Sequence, residues 1–227
     1  MRIAEIFHSV QGEGILMGTP AVFVRTSGCN LRCTWCDTPY TSWNPEGETL
    51  SVDAIVEKVL GYGADYAVVT GGEPLLFEET VALTHKLAAA RRHITIETAG
   101  TLFLPVACDL MSISPKLANS TPYEREGGRW AARHESLRIQ PAVLKRLMTC
   151  YEYQLKFVVE KLEDMAEILT LVRDLNADRR RVVLMPEGTN AALLRERGLW
   201  LVDVCRAHNF RYSPRLHVDL WGDRRGV

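Results

Sequence analysis

The sequence predicts an α/β fold, an open, partial (β/α) barrel of about six parallel strands. Three observations carry that prediction. Short apolar runs recur along the chain, and most lead into a stretch with helical spacing, the pattern of βαβ units. Polar punctuation rich in Gly, Pro, Ser and Glu closes run after run, at the strand ends where parallel sheets gather ligands. The strand-like runs number only six or seven, too few to close an eight-stranded barrel.

Taken in order, Ile3 to Val10 is apolar-rich and reads as an edge strand or hairpin arm. The flexible turn Gln11-Gly12-Glu13-Gly14 ends it. Ala21 to Thr26 is a strand, followed by a loop to about Gly47. Ser51 can cap a helix over Val52 to Leu60, whose apolar positions Val52, Ile55, Val56, Val59 and Leu60 share one face. Tyr66 to Thr70 is a buried strand broken by Gly71-Gly72-Glu73-Pro74, and a helix runs from Leu75 to Arg92. Ile94 to Thr98 alternates as a strand, and little room is left for a helix before the strand Asp109 to Ser114. Residues 117–135 are polar and poorly patterned, and are expected to be the least ordered region.

A helix over Pro141 to Tyr151 opens with Pro, which fits a first turn. Gln154 to Val159 is a strand, Leu162 to Leu175 a helix and Arg181 to Met185 a strand closed by Pro186-Glu187-Gly188. Ala191 to His208 is a helix, and Arg211 to Leu220 reads as a last extended segment. No repeat or long linker divides the chain. We expect one domain over 1–227: an N-terminal segment 1–20, a core 21–188, and a C-terminal helix and tail 189–227.

Composition bounds the function more loosely. The chain has 227 residues, 47% apolar and 24% charged, with net charge −1. That balance suits a globular protein and gives no sign of nucleic-acid or membrane binding. The first ten residues lack an apolar signal core, and no apolar run approaches ~20 residues. Six cysteines, three of them clustered, suit a reducing, cytoplasmic setting better than a disulfide framework. Cys108, Cys150 and Cys205 read as buried free thiols.

The chemistry centres on Cys29-Asn30-Leu31-Arg32-Cys33-Thr34-Trp35-Cys36-Asp37, just after the second strand. Three thiols in one loop leave one over from any disulfide pairing. Thiolates are soft ligands, suited to zinc, copper(I) or an iron–sulfur cluster. A structural zinc site needs a fourth ligand, and no Cys or His stands nearby at zinc-finger spacing. Three sulfurs on a [4Fe–4S] cube would leave one iron open to a substrate or cofactor.

The loop resembles the signature of the radical S-adenosylmethionine (SAM) superfamily, in which Cys29, Cys33 and Cys36 would hold the [4Fe–4S] cluster and the open iron would chelate SAM. The resemblance narrows with Gln11-Gly12-Glu13-Gly14, Arg25, Cys36-Asp37-Thr38, Thr70-Gly71-Gly72-Glu73-Pro74, Ile96-Glu97-Thr98-Ala99-Gly100-Thr101 and Ser114-Pro115-Lys116. Together these are similar to the 7-carboxy-7-deazaguanine synthase family, which has a shortened radical SAM core. The likeness is thin over residues 117–150.

The resemblance implies a ring contraction of 6-carboxy-5,6,7,8-tetrahydropterin to 7-carboxy-7-deazaguanine and ammonia, on the way to queuosine in tRNA. It implies that the reduced cluster cleaves SAM, that the 5′-deoxyadenosyl radical takes hydrogen from C6 of the pterin, and that SAM is regenerated. Trp35, Cys36, Asp37, Gly72, Ser114, Pro115, Lys116, Met185, Pro186, Glu187 and Gly188 would surround SAM. Val10, Gln11, Gly12, Glu13, Arg25, Thr70 and His217 would contact the pterin, and Thr38 would give an oxygen to Mg2+. Chemistry suits several of these roles. Arg25, odd in an apolar strand, can pair with a carboxylate. Glu13 can accept from the pterin N–H edge, and Gly71-Gly72 let backbone approach a ligand. The implied partners are an external electron donor such as flavodoxin and a second copy in a homodimer. Two other readings remain at this stage: an activating enzyme that places a glycyl radical on a partner protein, and a non-enzymatic zinc module.

Overall fold

The computed structural model describes all 227 residues. Nine strands form one sheet. In chain order they are β1 (Arg2–Val10), β2 (Pro20–Thr26), β3 (Glu48–Thr49), β4 (Tyr66–Gly71), β5 (His93–Thr98), β6 (Leu110–Ile113), β7 (Tyr153–Val159), β8 (Val182–Pro186) and β9 (Arg211–Tyr212). Their spatial order is β3-β1-β2-β4-β5-β6-β7-β8-β9. From β2 onward every neighbouring pair is parallel, while β1 pairs antiparallel with β2 and with β3. The sheet is open: β3 and β9, two residues each, are its edges. Ile3 to Val10 is therefore a hairpin arm, and the unpredicted β3 takes the edge.

The helices are α1 (Pro39–Ser42), α2 (Val52–Gly61), α3 (Glu79–Ala89), α4 (Ala131–Arg138), α5 (Pro141–Cys150), α6 (Asp164–Asp174), α7 (Ala191–His208) and α8 (Leu216–Trp221). Ser51 caps α2 by accepting from the Ala54 amide, and Asn190 caps α7 by accepting from Ala192 and Leu193. No helix joins β5 to β6, as the short spacing predicts.

Alternation along the strands divides the sheet into two faces. Val22 and Val24, Ala67 and Val69, Ile94 and Ile96, and Leu155, Phe157 and Val159 belong to the main apolar core with residues of the flanking helices. The alternate positions Arg25, Thr70, Glu97, Lys156 and Val158 line a cavity on the other face.

Four expectations need correction. The segment Arg211 to Leu220 is extended only at β9 and then turns into α8. Of Leu216, Val218 and Trp221, only the last two, three positions apart, can share a helical face, while Tyr212, Leu216, Val218 and Leu220 fall on an alternating pattern that masks the helix. The helix expected over Leu75–Arg92 is a 3-10 turn at Pro74–Leu76 followed by the shorter α3, because the Glu73 side chain caps Leu75 and Phe77 is extended. Residues 117–135 hold two 3-10 turns and the start of α4, pinned by side chains rather than by an apolar face. Cys150 is exposed at the end of α5, although Cys205 is buried and Cys108 half-buried.

Candidate active site

The cavity of about 480 Å³ opens at the carboxyl ends of the parallel strands, a size in the range of small-molecule sites. Cys29, Cys33, Trp35, Cys36, Asp37 and Thr38 line one side. Val10, Gln11, Gly12, Glu13, Arg25, Thr70 and His217 line it from the other elements, and Gly72, Ser114, Lys116 and Met185 also reach it. Of the expected site residues, Pro115, Pro186, Glu187 and Gly188 do not line it. Glu187 is instead engaged by Arg197, and the Gly188 carbonyl by Arg215.

The cysteine loop is held by backbone and ring contacts. Gly28 N–H donates to the Thr41 carbonyl (2.8 Å), and the Glu73 amide donates to Gly28 (2.9 Å). Trp43 Nε1 donates to the Cys33 carbonyl (2.9 Å). A Cβ on Gly72 would stand 2.1 Å from the Gly28 carbonyl oxygen. The Gly71-Gly72 pair thus lets two backbones meet behind the loop, a packing role the sequence did not reveal, while Gly72 still lines the cavity. Glu73 is fully buried and ties the strand ends together, accepting from Leu75 N, Thr98 Oγ1 (2.8 Å) and Ala99 N (2.9 Å). Burial raises its pKa, against those hydrogen bonds and Lys116.

From behind, His134 on α4 steadies the same loop. Arg32 N–H donates to His134 Nδ1 (3.1 Å), so the ring proton sits on Nε2, 2.9 Å from Ser120 Oγ. Ser120 Oγ donates onward to Leu117, which leaves it free to accept. Burial pushes the His134 pKa down to about 4.

All six cysteines are free thiols. Burial pushes Cys29 up to about 12 and raises Cys33 further, so a centre binding there must displace their protons. The Leu31 amide donates to Cys29 Sγ (3.4 Å), and Ser42 Oγ stands 3.2 Å from Cys36 Sγ. Hydrogen bonds to sulfur are a means of tuning a cluster. No three His, Cys, Asp or Glu side chains converge as ligands of a single ion. Three cavity-facing thiols, two of them with hydrogen-bonding groups at their sulfurs and not converging on one point, fit a larger inorganic body such as a cube.

The opposite wall is polar. Gln11 Nε2 donates to Glu97 Oε1 (3.0 Å), and Thr70 Oγ1 donates to Glu97 Oε2 (2.7 Å). Glu13 forms ion pairs with Lys156 and with Arg215 Nε (3.1 Å), and His217 Nε2 lies 4.0 Å from it. Burial alone would raise the Glu13 pKa; Lys156, then Arg215 and His217, outweigh it and hold the carboxyl well below its usual range. Arg215 also donates to the Gly188 carbonyl (2.6 Å) and pairs with Asp37. Arg25 pairs with Glu5 (2.6 Å) and stands over the Phe7 ring.

The turn carrying Glu13 is fastened at each step. The Gly14 amide donates to Ser213 Oγ (2.8 Å), Ile15 to Gln154 Oε1 (2.9 Å) and Leu216 to the Gly12 carbonyl (2.9 Å). A Cβ on Gly12 would fall 2.0 Å from His217 Nδ1, so α8 closes directly on this glycine.

Sequence reasoning assigned no role to Lys156 or Arg215, and quoted Glu97 only within a motif. A signal was present for Lys156: a cation in the apolar run Leu155-Lys156-Phe157-Val158-Val159, as odd as Arg25 in its own strand. Arg215 had none, because its segment reads only as a last extended stretch.

Comparison with known proteins agrees with this geometry. Residues 23–125 match the Radical SAM superfamily. A 7-carboxy-7-deazaguanine synthase of Halobacterium salinarum is 50% identical, the alignment covering 97% of this chain and 90% of the relative. Another from Rhodopirellula baltica is 42% identical, covering 99% and 88%. The crystal structure of QueE from Escherichia coli superposes with TM-score 0.71 at 26% identity, covering 95% of this chain and 94% of that one. Superfamily membership brings with it a [4Fe–4S] cluster and SAM, which the three thiols and the cavity beside them suit. The chain belongs to the 7-carboxy-7-deazaguanine synthase family of radical SAM enzymes.

Proposed function

We propose that this chain converts 6-carboxy-5,6,7,8-tetrahydropterin to 7-carboxy-7-deazaguanine with release of ammonia. The observation that carries the reading is the facing arrangement of one cavity: three thiols on one wall, and Glu13, Glu97, Arg25 and Thr70 on the others. A carboxylated pterin has an anionic end and an N–H-rich edge, and this wall offers a cation for the first and carboxylates for the second.

In this reading Cys29, Cys33 and Cys36 hold the cluster, which with SAM supplies the one-electron chemistry when bound. Trp35, Asp37, Gly72, Ser114, Lys116 and Met185 border the SAM end, with Pro115 and residues 186–188 just behind. Arg25 exchanges part of its pairing with Glu5 for the substrate carboxylate, and Thr38 offers an oxygen to Mg2+ beside it. Glu13 accepts from the pterin edge, with the backbone of Val10, Gln11 and Gly12 alongside. Thr70 and His217 complete the enclosure, and α8 excludes water on that side. An external electron donor, a homodimeric assembly and a cytoplasmic setting belong to the same proposal. No helix is long and apolar enough to cross a membrane.

Anaerobic reconstitution should load about four irons per chain. Turnover of the carboxytetrahydropterin should then require both SAM and a reductant. A fully loaded protein that cleaves SAM yet leaves this pterin unchanged would reject the substrate.

A further inference from the structure

We infer that Lys156 and Arg215 fix Glu13 as an acceptor-only carboxylate, and so set the cavity's preference for a ligand edge with paired N–H donors over one that presents a carbonyl. This rests on the pterin reading above and names what gives that site its selectivity. Neither cation touches the ligand in this account; both are positioning residues.

The geometry is specific. Glu13 reaches the cavity from a turn with its side chain 14% exposed, and each cation beside it is 7% exposed. Lys156 takes Oε2 and Arg215 takes Oε1. An ionised carboxylate has about four lone-pair directions, so two cations leave capacity for ligand donors and none for a ligand acceptor. The two cations come from separate elements: Lys156 from the interior of β7, and Arg215 from the residue before α8.

The remaining charges facing Glu13 sharpen the role of Lys156. His217 on α8 stands 4.0 Å away and is held toward its neutral form, chiefly by burial. Asp37 shares Arg215 with Glu13. Glu97 on β5 lies close enough to Lys156 to hold its charge, second to Glu13. Removing Lys156 therefore leaves Glu13 to share one guanidinium with Asp37, and takes away the cation that stands between Glu13 and Glu97. Burial and the neighbouring carboxylates then favour a proton on Glu13. A protonated Glu13 donates, and so tolerates a carbonyl.

The test measures dissociation constants on reconstituted holoenzyme with SAM, for 6-carboxy-5,6,7,8-tetrahydropterin and for its 2-oxo counterpart, in which a carbonyl replaces the exocyclic amino group. Wild-type protein should favour the pterin by roughly ten- to hundredfold, the range of a hydrogen bond to a charged group. Lys156→Met should bring the two ligands to within about threefold of each other, with pterin affinity now weakening as pH falls. Lys156→Arg should restore most of the preference. Glu13→Gln should lose it, and the double variant should be no worse than Glu13→Gln, because Lys156 acts through that carboxylate. Circular dichroism and cluster absorbance check folding, and Lys156→Gln replaces the Met variant if that one does not fold. A wild-type preference that survives intact in folded Lys156→Met or Lys156→Gln overturns this inference alone, as do fully additive losses in the double variant. Equal binding of both ligands by wild-type protein overturns the pterin reading and this inference together.

Discussion

Cys29, Cys33 and Cys36 share one loop, whereas Glu13 meets Lys156 across 143 positions of sequence and Arg215 across 202. Both regions line the same cavity. The loop is a local device. Its thiols are set by spacing, and the amide, indole and imidazole groups that support it are themselves uncharged. The wall is a long-range device. Its parts come from the turn after β1, from β7 and from the residue before the last helix, and opposite charges hold them together. A local device fails by losing its ligand set, and a long-range one by losing the register between distant segments.

Cys33→Ala should give the largest effect. A cube deprived of one of three thiolates should be labile, so iron, acid-labile sulfide and 5′-deoxyadenosine formation should all collapse. SAM cleavage at the wild-type rate in that variant would remove the loop from the chemistry. Arg215→Met breaks the wall instead. It strips a buried cation from Glu13, Asp37 and the Gly188 carbonyl, and breaking such a buried pair typically costs about 3–5 kcal/mol. Thermal unfolding should drop by roughly 10 °C, with the thiols still able to take up iron. A variant that keeps its melting temperature would show that α8 docks without this cation.

Arg25→Ala sits between the two. It should weaken pterin binding by about ten- to hundredfold, the loss of a charge-assisted contact, and leave SAM binding nearly unchanged. Equal losses for both ligands would make Arg25 a fold residue tied to Glu5.

The smallest effect belongs to the loop's support. His134 is neutral in the folded protein, with its pKa pushed down to about 4 from 6.5. As pH falls below about 6.5 the unfolded chain takes a proton first, so the stability this group contributes is complete above that pH and is lost toward pH 4. His134→Gln should flatten that acid limb of a stability–pH curve; an unchanged limb would assign it to the carboxylates.

Much of the fold was legible, for reasons that separate the same way. Helix α7 shows its ends through Asn190 and through apolar spacing, and β4 and β7 through short apolar runs bounded by turn residues. Helix α8 was not legible, because its six residues are too short a window for a helical period to stand out from alternation. Residues 117–135 were unreadable because hydrogen bonds to the cysteine loop, such as Thr34 N to the Ser120 carbonyl, order them in place of an apolar face. Within the site, Arg25 was legible as a cation out of place in a strand, and Lys156 carried the same signal without being drawn upon.

By itself the sequence determined the α/β class, the three-thiol loop and the family, because each depends on residues near one another or on a pattern repeated along the chain. Only the tertiary structure decided that Gly72 serves loop packing, that Gly12 lies under His217, and that Glu13 stands between two buried cations. Those facts depend on distances between segments far apart in sequence. Nothing in local spacing encodes such distances until the sheet has brought the strand ends together.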